Sequence, residues 1–200
     1  MNIHMITSVI IILLSVAAYG LIHSVLASLW VKTQARRLFG PAGDRLYRLV
    51  YNGIAVITFL PLLALIPALP GRSLYQLHPP WLWIALGIQV LALLALGLSV
   101  MQTGAVSFLG LGQLMGPPGA GKPRLVVTGL YRFVRHPIYT AALLFLWATP
   151  LMNTNLLAFY AGLTLYIIIG ARHEEYRLVR EFGDDYREYR RRTPMLIPFI

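Results

Sequence analysis

Five stretches of this chain are apolar for long enough to cross a bilayer, and they leave little sequence for anything else. They lie near residues 5–30, 47–69, 81–102, 137–152 and 155–171. A helix needs about 20 apolar residues to span a hydrocarbon core of roughly 30 Å. Within that core only structures that satisfy every backbone N–H and C=O internally are stable. The expected fold class is therefore an all-α integral membrane protein with about five transmembrane helices. Composition agrees, since 58% of the 200 residues are hydrophobic and 12% charged, against about a quarter charged in a soluble domain. Residues 1–200 read as a single membrane domain.

The last two stretches are short, and their only polar break is Asn153-Thr154-Asn155. Folded back there, each arm has roughly 16 to 18 residues, or about 25 Å of helix. The expectation is a helical hairpin over 137–171, following a three-helix part over 1–102 and a cytoplasmic loop over 103–136. A four-span chain whose hairpin is only re-entrant is the competing arrangement. The first stretch lacks the basic start of a cleaved signal peptide and is followed by Lys32, Arg36 and Arg37, so it reads as a retained span.

Charge sets the orientation. Lys and Arg exceed Asp and Glu by 17 to 7, a balance often associated with nucleic acid. Here the basic residues flank apolar spans, which is a topology signal and argues against a nucleic-acid partner. Lys32, Arg36, Arg37, Arg45 and Arg48 oppose only Asp44, and Lys122, Arg124, Arg132 and Arg135 face no acid. The loop at 70–80 holds only Arg72, and the turn at 153–155 is uncharged. The bias places the N-terminus outside and the C-terminus in the cytoplasm. From Arg172 onward Val179, Phe182, Tyr186 and Tyr189 recur at steps of three and four, so 172–200 reads as an amphipathic tail helix, kinked at Gly183, that lies at the interface or folds back over the hairpin mouth.

Two features carry no function. The run Gly116-Pro-Pro-Gly-Ala-Gly121-Lys122 resembles a phosphate-binding loop, but Pro123 stands where Ser or Thr would hold Mg²⁺. No strand pattern precedes it, so it reads as a connector. No metal site is expected either, because no Cys is present and no two His have ligand spacing on one helix.

The chemistry concentrates at the hairpin mouth. Arg135-His136-Pro137-Ile138-Tyr139 opens one arm and Glu174-Glu175 ends the other. His136 and Arg135 are three and four residues from Tyr139 and share a helical face with it. Pro137 suits the first turn, where its missing N–H is not needed. Polar groups this close to hydrocarbon are unfavourable unless they serve a partner, and base beside acid suits a small zwitterion. Tyr131 sits just upstream as a wall. His23 reads as packed or hydrogen-bonded inside its span, and Ala92, Ala95 and Gly97 suit close helix packing.

The run Val127-Thr-Gly-Leu-Tyr131-Arg-Phe-Val-Arg-His-Pro-Ile-Tyr139 is followed by Glu174-Glu175 and Phe182-Gly183-Asp-Asp-Tyr186-Arg-Glu-Tyr189. Pro194 and Ile197-Pro198 close the pattern. Together these motifs resemble the membrane isoprenylcysteine carboxyl methyltransferases and the related phospholipid methyltransferases. The first three spans carry only a general likeness, partly to the NnrU-like membrane proteins. The resemblance implies an S-adenosyl-L-methionine-dependent enzyme of a bacterial or archaeal-type inner membrane, acting on a hydrophobic or lipid-like acceptor reached from the bilayer. It implies cofactor contacts at Leu125, Val126, Tyr131, His136, Tyr139 and Glu174, and makes Glu175 the second acid. Arg135 or His136 would take the cofactor carboxylate, and Arg135 and Glu175 are the catalytic candidates, Glu175 as base if the acceptor is an amine. One position departs: where the prenylcysteine enzymes carry a substrate Arg, this chain has Gly170, and Arg172 projects from a different face. The acceptor stays open between carboxylate, thiol and amine. A non-catalytic accessory protein of the NnrU-like kind is the alternative.

Overall fold

The computed structural model describes residues 3–104 and 124–198, with the backbone alone at 44 and 45. The glycine-rich run at 116–122 and the side chains of Asp44 and Arg45 lie outside the described residues. In chain order the elements are α1 (Ile3–Ala27), α2 (Leu29–Ala68), β1 (Ser73–Gln76), α3 (Trp81–Thr103), a 3-10 turn (Gly129–Arg132), α4 (Pro137–Trp147), β2 (Leu151–Asn153), α5 (Thr154–Phe182) and α6 (Asp184–Arg192). Among the described residues four helices are long and apolar enough to cross a membrane: Ile3–Ala27, Leu46–Ala68, Trp81–Thr103 and Thr154–Phe182. The fold is the all-α membrane class that the apolar pattern requires.

The chain forms two units. The first contains α1, α2 and residues 154–162 of α5. α1 buries Ser8, Ile12, Val16 and Gly20, a line of every fourth residue down one helix face. Val16 meets Gly162, where an added Cβ would lie 3.1 Å from the Val16 Cγ1. Lipid supplies no hydrophobic drive between helices, so close approach at small residues does the holding. Large apolar side chains point outward instead, with Leu14 65% and Ile57 68% exposed.

Residues 31–48 are not a loop. α2 starts at Leu29, capped by Ser28, whose Oγ accepts from the Val31 N–H at 3.3 Å. It is broken at Gly40, where φ is +59°, a conformation that side-chain-bearing residues adopt only with strain. His23 has the hydrogen-bonded, packed role. Its Nε2 pairs with the Tyr51 hydroxyl, and its ring lies 5.6 Å from Tyr19 and 4.6 Å from Tyr51. At the end of α2, Asn155 donates from Nδ2 to the carbonyls of Ile66 at 3.1 Å and Leu69 at 2.9 Å. These carbonyls have no helical partner of their own. Gly71 passes so near that an added Cβ would lie 2.8 Å from the same nitrogen.

The second unit holds residues 73–103, 124–153 and 163–198. β1 and β2 pair antiparallel, with Ser73 opposite Asn153 and Gln76 opposite Leu151. This joins the start of α3 to the end of α4. At the far end of α3, Gln102 Oε1 accepts from the Leu130 N–H at 3.1 Å. Between these ties α3 buries Ala85, Ala92 and Ser99, one residue every two turns. Gly97 is the exception to the packing expectation: an added Cβ there would meet nothing within 4 Å. Five residues from Ala92, it falls on another helix face.

α4 is also shorter than the 137–152 arm. Its 11 residues make about 16 Å. Thr149-Pro150 stops it, because the residue before a proline is driven out of the α conformation. Gln89 Nε2 then donates to the Phe145 carbonyl at 3.1 Å, satisfying one of the orphan groups. The first hairpin arm is thus part helix and part strand, and the return begins at Thr154. α5 runs 29 residues with no break at 171 or 172. The interruption comes at Gly183, φ +59°, after which α6 turns away.

Replacing Asn155 by Ala removes both carbonyl partners and is expected to lower stability by about 2 kcal/mol. Thermal unfolding in detergent should then show a midpoint roughly 5 °C lower. Gly71→Ala, which forces the same contact apart, should give a fall of similar size.

Candidate active site

The site lies wholly in the second unit, where the start of α4 meets the last turns of α5. His136 is the N-cap residue of α4, with φ −124° and ψ 65°, and Pro137 takes the first helical position. That turn aims the side chains of Arg135, His136 and Tyr139 toward Glu174 and Glu175, neighbours on α5. Both pairs that the sequence singled out come together.

Arg135 and Glu175 form the innermost contact. Arg135 Nε donates to Glu175 Oε1 at 2.6 Å, and both side chains are 10% exposed. Two charges withdrawn from water are stable only when fully partnered, and the chain supplies the partners. Arg135 Nη1 donates to the carbonyls of Arg190, at 3.1 Å, and Thr193. Its backbone N–H donates to Pro194 O at 2.9 Å, and that of His136 to Met195 O at 3.1 Å. Thr140 Oγ1 donates to Leu196 O at 2.7 Å. Successive carbonyls from Thr193 to Leu196 are therefore all taken by the start of α4. This strap holds the segment after α6 against the site.

Glu174 faces the more open side. The Tyr139 hydroxyl donates to Glu174 Oε2 at 3.0 Å, and Arg177 Nη2 lies 3.7 Å from Oε1. His136 sits between the acids, with Nδ1 3.7 Å from Glu174 Oε2 and Nε2 3.4 Å from Glu175 Oε1. Its ring stacks on Tyr139 at 5.4 Å and 20°. The residue is 6% exposed, yet Nε2 has no hydrogen-bond partner among the described residues. A buried polar atom without a well-formed hydrogen bond is uncommon, and its nearest acid is Glu175.

Tyr131 is buried behind this group, and its carbonyl accepts from the Tyr189 hydroxyl at 2.5 Å. Burial, with the Glu174 charge adding to it, pushes the Tyr131 phenol up to about 12, so it stays neutral. Leu125 and Val126 are half-buried in the irregular stretch that leads to the 3-10 turn. Among the described residues no three His, Asp or Glu side chains gather as a metal would need.

A cleft of about 350 Å³ opens beside the ion pair, lined by Arg135, Arg172, Glu175, Tyr176, Arg190 and Met195. Sequence reasoning set Arg172 aside because it does not share a face with Gly170. It does share one with Glu175, three residues on. The strap was missed for another reason: it acts through backbone carbonyls, which leave no mark in the residue types.

Fold and mouth together define a helical membrane protein with a charged, ligand-sized site at its helix ends. The family model for phospholipid methyltransferases matches residues 82–185, about half of the chain, and the protein belongs to this family. Over 80 residues the chain is 46% identical to methanethiol S-methyltransferase 1 of Bradyrhizobium diazoefficiens, covering 40% of this chain and 28% of that protein. Methanethiol S-methyltransferase of Mycobacterium tuberculosis is 46% identical over 70 residues, 35% of this chain and 29% of its own. Protein-S-isoprenylcysteine O-methyltransferase of Schizosaccharomyces pombe is 37% identical over 123 residues, 51% of each. The chain thus spans between about a quarter and a half of the curated relatives it matches. No solved structure matches it significantly.

Glu175→Gln leaves Arg135 buried without its counter-charge. The expected result is a stability loss of about 3 kcal/mol and, in hydrogen exchange, at least roughly tenfold faster exchange of the Arg135 and His136 amides as the strap loosens. Unchanged protection at these two amides would show that the strap holds without the ion pair.

Proposed function

We propose that this protein is an S-adenosylmethionine-dependent methyltransferase of an inner membrane, with its N-terminus outside, its C-terminus cytoplasmic and a small or hydrophobic thiol as acceptor. The single observation that carries this reading is the convergence of Arg135, His136, Tyr139, Glu174 and Glu175 at one mouth, with His136 buried between the two acids. Membership of the phospholipid methyltransferase family supports it. The orientation rests on the loop charges.

The residues fit the cofactor. Glu174, already oriented by Tyr139, would receive its ammonium or ribose diol through charge-assisted hydrogen bonds. His136 Nε2 would meet a polar atom of its amino-acid end. The Tyr139 and His136 faces, and Tyr131 behind them, would attend its positive charge, with Leu125 and Val126 along the adenosine side. When bound, S-adenosylmethionine supplies an electrophilic methyl group for in-line transfer. The chain's own contribution is alignment and the exclusion of water.

Two observations bear on the acceptor. Glu175 Oε1 is engaged by Arg135, so this acid acts as an anchor, which suits an acceptor that needs no base during attack. A thiolate meets that condition and an amine does not. Gly170, with open space around it, stands where the prenylcysteine enzymes carry a substrate Arg, which argues against a prenylcysteine carboxylate as acceptor. Similarity to the methanethiol S-methyltransferases points the same way.

Calorimetric titration of S-adenosylhomocysteine into the detergent-purified protein tests the reading. Saturable binding is expected, weakened at least about tenfold by Glu174→Gln and by His136→Ala. Absence of binding to folded wild-type protein would overturn the enzyme reading in favour of an accessory role.

A further inference from the structure

The cleft beside the ion pair has a chemistry that methyl transfer leaves unused. Of the residues that line it, only Arg135 and Glu175 belong to the mouth, while Arg172, Tyr176, Arg190 and Met195 do not. None of Tyr131, His136, Tyr139 and Glu174 lines it. Arg172, Glu175 and Tyr176 are three and four residues apart on one face of α5. Arg190 comes from the last turn of α6 and Met195 from the strap. Three arginines thus line a cleft of about 350 Å³ with a single acid among them.

That acid is already matched. Glu175 Oε1 accepts from Arg135 Nε at 2.6 Å. Arg135 uses Nε and Nη1 within the protein, and its Nη2 makes no hydrogen bond among the described residues. The guanidinium groups of Arg172 and Arg190 make neither hydrogen bond nor ion pair among them. Other arginines of the same two helices are paired: Arg177 with Glu174, Arg187 with Asp184, and Arg191 and Arg192 with Glu188. Solvation is the ordinary account of a lone exposed arginine. Two such groups from different helices lining one cleft, with the open edge of a third, make a donor set for an oxyanion.

The position of the cleft says which oxyanion. Arg172 directly follows the apolar run 155–171, where hydrocarbon gives way to lipid headgroups. Tyr176, 71% exposed, lines the cleft at the same level, and aromatic side chains collect at that depth. Phosphate is the anion that a bilayer presents there, and basic pockets at helix ends receive it. We propose that this cleft binds the phosphate of an anionic phospholipid, held by Arg172, Arg190 and Arg135 Nη2. The lipid is a structural ligand, separate from the methyl acceptor, and its binding does not depend on the S-adenosylmethionine reading. A headgroup with an ammonium of its own would set that charge among three arginines, so a net anionic headgroup is selected. Bound there, the phosphate joins α5 to α6 by a second route beside the Arg135–Glu175 pair.

The test is thermal unfolding of the full chain in detergent, with phosphatidylglycerol or phosphatidylcholine of the same acyl chains added. Saturating phosphatidylglycerol should raise the midpoint by roughly 5 °C, and phosphatidylcholine should not. Arg172→Gln and Arg190→Gln should each require at least about tenfold more phosphatidylglycerol for the same shift. Arg187→Gln, which removes an equal charge from the exposed side of α6, should need no more than wild type. Without lipid both cleft variants should melt at or above the wild-type temperature, because neither side chain bonds within the protein. Equal responses to the two lipids, or cleft variants that respond as wild type does, would overturn the proposal. A lower lipid-free midpoint in those variants would do so too, by giving the arginines to the fold. An equal shift from glycerol 3-phosphate at the same concentration would overturn the lipid source and make a soluble phosphate the ligand. If lipid-free Arg172→Gln instead lost S-adenosylhomocysteine binding that wild type shows, the cleft would belong to the cofactor and the lipid site would fall.

Discussion

The Arg135–Glu175 ion pair is the contact on which the site depends. It joins the entry to α4, two residues before the helix, to the last turns of α5, and through Nη1 it also reaches α6 and the strap. An ion pair of this kind contributes little net stability, because desolvation opposes the attraction. What it does is fix geometry. With Arg135 in place, His136 is turned between the two acids, Tyr139 falls over Glu174, and the strap carbonyls find donors. Lose the charge on either side and the remaining partner is stranded in a nearly dry environment. The pair therefore works as a clasp between α4, α5 and the strap.

Much of this was visible in the residues. Of the five apolar runs, four are the long helices and the remaining one holds the shorter α4, because nothing else in a bilayer satisfies the backbone over such lengths. The mouth was visible because charges next to hydrocarbon are unfavourable, and Arg135, His136, Glu174 and Glu175 stood at matching ends of two arms. Tyr186 and Tyr189 were recognised from their spacing as part of one apolar stripe, and both are buried. What spacing did not reveal is that the two hydroxyls differ, one bonded and one unpartnered among the described residues, since that is decided by which atoms lie across from each.

Other features had no residue-level signal. Lys32 to Arg48 have the charges of a loop and the same charges suit a solvated helix, so α2 began earlier than composition suggested. Leu151 and Met152 are apolar and looked like the end of a span, yet they form the β2 strand against β1. A short apolar run fits either state, and the deciding factor, a partner strand some 75 residues away in the sequence, is not local. Gly97 looked like an interhelical contact by type alone. Its angular position around α3 placed it outside.

The distance between Gly183 and the strap is set by α6 and nothing else. Its nine residues place Tyr186 and Tyr189 inward and deliver Thr193 to Arg135, while Arg187, Arg191 and Arg192 pair with acids on the exposed side. Removing one residue would turn everything beyond it by about 100° and draw it back by roughly 1.5 Å. Every inward tyrosine downstream of the deletion and every strap carbonyl would then miss its mark. Outward positions are free to vary in kind, but the number of residues is not. Natural variation in this segment should accordingly take the form of exchanges without gaps, as though α6 were a ruler cut to length.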